Sequence, residues 1–125
     1  MRTPCIIVVE DEAIIARDIQ STLIRLGYLV PPPVASCAEA LEAVHRHRPD
    51  LVLMDIRIQG GVDGIETGAR IRDAYGTPLV YLSSYSDATT MATAKAGGAL
   101  GYLLKPFREH DLKAAVGLAL QKRST

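Results

Sequence analysis

Short apolar runs punctuate the chain: CIIVV at 5–9, LVLM at 51–54, LVYLS at 79–83 and GYLL at 101–104. None alternates strictly with polar residues, the pattern expected of strands buried on both faces. Between the runs, apolar positions fall at helical spacing. Ile15, Ile19, Leu23 and Leu26 mark one face of a helix that Gly27 ends. The segment ASCAEALEAVHRHRP predicts a second helix. Its Ser36 stands three residues before Glu39, as in a capping box, and His45, Arg46, His47 and Arg48 precede Pro49, where cations suit the negative end of the helix dipole. A short helix is expected from about Ile65 to Tyr75, an Ala-rich one ending at Gly97–Gly98, and an amphipathic one around Leu112, Val116 and Leu120. Strand and helix thus alternate five times. That order predicts an α/β fold, a five-stranded parallel sheet with helices on both faces.

The segment LVPPPVAS tests this expectation, because the second strand should lie there. Pro31, Pro32 and Pro33 cannot donate ladder hydrogen bonds, so the strand must be short and at an edge. The doubly wound order 2-1-3-4-5 puts it at an edge and sets the first and third strands side by side.

Composition narrows the classes of function. A chain of 125 residues with 48% hydrophobic content has material for one core and one domain. Lysine plus arginine and aspartate plus glutamate both number 14, and no run of either sign stands out. This excludes the electrostatic footprint of a direct nucleic-acid or membrane-surface binder. The N-terminus enters a strand at once, without the charged region, long apolar stretch and cleavage site of a leader, which predicts a cytoplasmic protein. Cys5 and Cys37 share no motif and are expected to be reduced packing residues.

Candidate chemistry begins at DLVLMDIRIQGG, residues 50–61, where a buried-strand pattern stops on Asp55. A carboxylate leaving a sheet core is costly to desolvate unless something pairs with it. The strand order brings partners to that point, since ligands in such sheets bind outside the carboxyl ends of the strands at the switch point. The first strand ends at Glu10-Asp11-Glu12, the fourth in Ser83–Ser84 and the fifth in Lys105–Pro106. One crevice therefore collects several carboxylates, a hydroxyl and an ammonium. Taken singly, each has a plainer role: the acids as favourable charges at the first helix's N-terminus, Ser83 as a satisfied core hydroxyl, Lys105 as a solvated strand end. Taken jointly, four strand-end placements point to a site. Clustered carboxylates resist joint ionisation, and a hard divalent cation with oxygen ligands relieves this; Mg²⁺ is the expected ion, because it takes few carboxylates and keeps waters for a phosphorylated substrate. His45 and His47 point apart on their helix and are expected to be solvated, and three histidines without a cluster make no zinc site.

In VVEDE, LVLMDI, DGIE, YLSSYSD and GYLLKPF, in that order over essentially the whole chain, the sequence resembles a response-regulator receiver domain of two-component signalling. The resemblance implies a flavodoxin-like three-layer sandwich. It implies Asp55 as phosphoryl acceptor, with Asp11 as a direct Mg²⁺ ligand, Glu10 as a second acid acting through water, and the Arg57 backbone carbonyl as a further ligand. By the same resemblance, Ser83 and Lys105 contact phosphoryl oxygens, Tyr102 is the aromatic switch residue, and the Lys105–Pro106 bond is cis. The phosphodonor would be a sensor histidine kinase or a phosphotransfer protein. The output would be a changed surface on the Ala-rich helix, the strand 101–104 and the last helix, controlling a partner or downstream domain not visible in this chain. A homodimer through that surface is compatible with the family.

The sequence departs from the family pattern in places. Glu10 is more often Asp, and the loop RIQGGVDG lacks a common proline and is one residue longer. Arg57 and Tyr85, two beyond the acceptor and two beyond Ser83, are bulky enough to obstruct an attacking water, so a long-lived phosphoryl state is expected. A receiver-like interaction module that accepts no phosphate would lack the acceptor or the lysine, and both are here. An aspartyl-phosphate phosphatase would want an acid at position 57, and a flavin binder a phosphate-cradling loop after the first strand; neither is present, so no turnover enzyme is expected.

Overall fold

The computed structural model describes residues 3–58, 60–83 and 99–123. Four strands, β1 (Ile6–Val9), β2 (Leu51–Asp55), β3 (Leu79–Ser83) and β4 (Gly101–Leu104), pair in parallel in that order. Four helices are described with them: α1 (Ala13–Arg25), α2 (Cys37–His47), α3 (Gly64–Tyr75) and α4 (Glu109–Arg123). The Ala-rich helix expected before Gly97–Gly98 lies outside the described residues.

The strands form where the apolar runs are, and all residues of β1, β2 and β3 are buried. Successive side chains point to opposite faces, which divides the core in two. Ile6, Val8, Leu51, Leu53, Val80, Leu82 and Leu103 pack with Ile19 and Leu23 of α1 and with Leu112, Val116 and Ala119 of α4. On the other face Ile7, Val9, Val52, Met54, Leu79 and Tyr81 pack with Ala40 and Val44 of α2 and Ile71 of α3. The result is the expected three-layer α/β sandwich.

The helix ends follow the capping chemistry. Ser36 Oγ accepts from the Glu39 N–H at 3.3 Å, while Glu39 Oε1 accepts from the Ala35 N–H at 3.1 Å. Asp63 caps α3 by accepting from the Glu66 N–H at 2.9 Å. Gly27 and Gly76 follow α1 and α3 with φ of +100° and +69°, a backbone region that costs glycine nothing.

The proline segment corrects one expectation. Among the described residues, the anticipated second strand is reduced to two isolated parallel bridges on the outer side of β1, Cys5 with Leu29 and Val9 with Val34. Its position is the one that the order 2-1-3-4-5 requires, but a continuous ladder does not form. Three consecutive prolines remove three donors. In addition, four steps along β1 face five between Leu29 and Val34, so the segment bulges. The Gln20 amide reaches across from α1 to the carbonyls of Val30 and Pro31, at 3.2 and 3.4 Å.

Candidate functional site

The carboxyl ends of β1, β2, β3 and β4 meet at one edge of the sheet, as the register requires. Asp55 is paired with Leu82, one residue before Ser83, and Ser83 with Leu104, one residue before Lys105. Asp55 ends β2 with its side chain 8% exposed, and two donors hold it: Lys105 Nζ at 2.6 Å from Oδ2 and the Arg57 backbone N–H at 3.0 Å from Oδ1. Lys105 also donates to Glu10 Oε1 at 2.8 Å, and the Glu10 side chain is fully buried. Glu10 Oε2 accepts from the Glu12 N–H at 3.3 Å. The Lys105–Pro106 bond is cis.

This geometry separates the acids that sequence alone left together. α1 begins at Ala13 with no acid in its first turn; Glu10 gives one oxygen to Lys105 and the other to the N–H of the α1 cap residue Glu12. One oxygen each from Glu10, Asp11 and Asp55 can be drawn from a set lying within 4.8 Å of one another, with Asp11 on the solvent side. Burial, helped by the hydrogen bond and negative charge of Asp55 and opposed by Lys105, pushes the Glu10 carboxyl from 4.5 up to about 7. For Lys105 the largest influence, burial, lowers the pKa. The hydrogen bonds and charges of Asp55 and Glu10 outweigh it and hold the ammonium above the ordinary lysine value. Two buried carboxylates thus share one cation, and Asp11 stands at the mouth.

Ser83 is buried, and its hydroxyl has no hydrogen-bond partner among the described residues. The Tyr102 hydroxyl is in the same condition, and burial raises its pKa. An unmade hydrogen bond on a buried hydroxyl costs about 1–3 kcal/mol. Arg57 is exposed, and its backbone already serves Asp55. Tyr85 and Ser84 lie outside the described residues.

Sequence reasoning passed over Gly64. A Cβ there would overlap the Asp55 carbonyl oxygen and come within 2.8 Å of the Ile56 Cα, and the Gly64 N–H donates to the Ile56 carbonyl at 2.7 Å. The start of α3 is therefore pressed bare against the exit of β2. The available signal was Gly64 and Gly68, four apart on the buried face of a helix. His45 and His47 are exposed, as expected, and the one group of potential metal ligands among the described residues contains no histidine.

The family model for the response regulator receiver domain matches residues 6–117. This chain is a response-regulator receiver domain. It is 34% identical over 117 residues to the transcriptional regulatory protein PdtaR of Mycobacterium tuberculosis, covering 94% of this chain and 57% of that one. It is 32% identical to the DNA-binding response regulator MtrA of the same organism, over 94% of this chain and 50% of MtrA. The receiver thus spans about half the length of these curated relatives. Among solved structures, the signal receiver domain of a modulated diguanylate cyclase from Desulfovibrio desulfuricans G20 superposes with a TM-score of 0.90 at 32% identity, covering 98% of each chain. The receiver domain of NtrX from Brucella abortus gives 0.88 at 29% identity, over 93% of this chain and 98% of that one. None of the described helices is long and apolar enough to cross a membrane.

Proposed function

We propose that this receiver accepts a phosphoryl group on Asp55 from a phosphohistidine of a sensor kinase or phosphotransfer protein, and that the modified state controls an output partner or domain in the cytoplasm. The observation that carries the reading is the Asp55 carboxylate itself, buried at a strand end, held by an ammonium and a backbone N–H, and clustered with the carboxylates of Glu10 and Asp11.

In the reaction, an Asp55 carboxylate oxygen attacks phosphorus, the P–N bond of the donor breaks, and the departing imidazole keeps the electron pair and takes a proton. Lys105 passes from Asp55 Oδ2 to an oxygen of the transferring group, where its charge stabilises the developing anion. Ser83 donates its hydroxyl, without a partner among the described residues, to a second oxygen. Asp11, Asp55, Glu10 through a water, and the Arg57 carbonyl would hold Mg²⁺. The donor set fits the ion, being all oxygen and clustered, with a partly open side for waters. Bound there, Mg²⁺ neutralises charge on the phosphoryl oxygens. Drawing Ser83 toward the new group leaves space behind it that Tyr102, half-buried on the neighbouring strand, would fill by turning inward. Bulk at Arg57 and Tyr85 slows attack by water, so the phosphoryl state lasts longer than seconds.

Intact mass after incubation with acetyl phosphate tests the reading. One phosphoryl adduct is expected, dependent on Mg²⁺ and absent from Asp55→Asn. An adduct that persists in the variant overturns Asp55 as acceptor. Failure of folded wild type with acetyl phosphate and with phosphorylated kinases makes the chain a receiver that acts by binding alone.

A further inference from the structure

α3 meets the sheet by bare backbone at two points on one face, a turn apart, with the Ile71 side chain packed against the sheet beyond them. Gly64 lies against the Asp55 carbonyl, and Gly68 lies so close to the Tyr81 hydroxyl that a Cβ would overlap it and approach the ring carbon bearing it to 2.9 Å. Thr67, between them, is fully buried. Tyr81 is itself buried on β3, directly beside Tyr102 across the β3–β4 ladder and on the same face of the sheet. The helix therefore rests by bare backbone on the acceptor strand's exit and on the neighbour of the switch tyrosine. A close-packed contact of this kind has no slack to absorb a displacement.

The far end of α3 is tied to α2. The Tyr75 hydroxyl and His45 Nδ1 share a hydrogen bond of 3.2 Å, and the Arg48 guanidinium lies 4.9 Å above the Tyr75 ring. Arg48 is held in place by a 3.0 Å hydrogen bond from its Nε to the His45 carbonyl. Gly64 and Tyr75 are eleven residues apart, about 16 Å along a continuous helix.

We propose that α3 is a coupling rod: filling the Asp55 site displaces it through the Tyr81–Gly68 contact, and the change is delivered to the Tyr75–His45–Arg48 cluster at the opposite end of the domain. The inference rests on Asp55 as the phosphoryl site and adds a second place where its state is displayed, on the α2–α3 side. A helix that meets the sheet at two glycines near its start and is hydrogen-bonded to α2 at its far end offers a contiguous packed path for such coupling. Removing the Tyr81 hydroxyl leaves a gap at Gly68 and should uncouple the two ends.

The test is proton–carbon NMR of the histidine rings in the full chain, before and after Mg²⁺ with beryllofluoride, a stable mimic of the aspartyl phosphate. Fluorine NMR of the same samples reports whether the site is loaded, and His45→Gln assigns the signal. The His45 ring signal should shift on loading, while exposed His47 on the same helix moves less. Tyr81→Phe should lower the His45 shift at least twofold with loading retained, and Tyr75→Phe should abolish it. A loaded wild type with an unmoved His45, or an undiminished shift in Tyr81→Phe, overturns the coupling. If fluorine shows no bound species, the acceptor reading falls and the coupling with it.

Discussion

Asp50 and Asp55 sit just before and at the end of the same strand, each 6% exposed, and they do opposite work. Asp50 accepts the Cys5 N–H at 2.7 Å, and its own N–H donates to the Cys5 carbonyl at 2.7 Å, so it fastens the beginnings of β1 and β2 together. Asp55 meets a lysine, a second buried carboxylate and a third at the surface. Residue type and burial are equal. The difference lies in the company each keeps: the Cys5 amide holds Asp50, whereas Asp55, held by an ammonium and a backbone N–H, stands beside two further carboxylates. An aspartate of the first kind holds a fold together, and one of the second kind sets like charges side by side.

The largest effect should come from exchanging these roles by mutation. Asp55→Asn should lose the whole phosphoryl adduct, while its stability in chelator stays level or rises, since a like charge leaves the crevice and Lys105 keeps Glu10. Asp50→Ala should keep the adduct and lose about 1–3 kcal/mol, the usual cost of stranding a buried donor. Urea unfolding and intact mass on both variants decide this, and comparable destabilisation of the two would erase the contrast.

Gly64→Ala joins the two kinds of effect. A methyl group has no place against the Asp55 carbonyl, so stability should fall by about 1–3 kcal/mol and phosphorylation should slow as the acceptor shifts. An alanine tolerated on both measures would mean that α3 can stand away from the sheet. Next in size, Mg²⁺ at about a hundred times its dissociation constant should add about 2.7 kcal/mol in thermal unfolding, and Asp11→Asn should remove most of that gain.

The smallest effect is on pH. In chelator, the folded-state pKa of Glu10 lies at about 7 against 4.5 for an unperturbed group. The folded state then binds more protons than the unfolded one between these values, so this group's contribution to stability is full below 4.5 and declines as pH rises toward 7. Glu10→Gln should flatten that decline in urea unfolding from pH 4.5 to 7. An unchanged slope would assign the buried proton elsewhere.

How far the sequence could be read depended on how local the physics was. Apolar runs and helix caps act within a few residues, and they located β1 to β4 and the ends of α2 and α3 closely. The strand-end acids, Ser83 and Lys105 were legible because the order of a parallel sheet fixes which ends meet. The bulge between Leu29 and Val34 was half legible: the prolines showed that donors were missing, but the extra residue emerges only when the two bridges are counted against each other. Gly64, Gly68 and Asp50 were passed over. Glycine at a close approach looks like glycine anywhere, and a polar residue ahead of a strand reads as loop until its partner across the sheet is known. The tie from Lys105 to Glu10 crosses 95 positions and could not be inferred from spacing.

The interrupted outer side of β1 also bears on how the molecule behaves in company. A flat run of unpaired amides and carbonyls along a sheet border invites a foreign strand to add itself, the first step toward insoluble fibres. Here the flank is bent by a bulge, stripped of three donors and partly covered by Gln20. The domain thus carries, on this border, a surface to which a stray strand gains little by adhering.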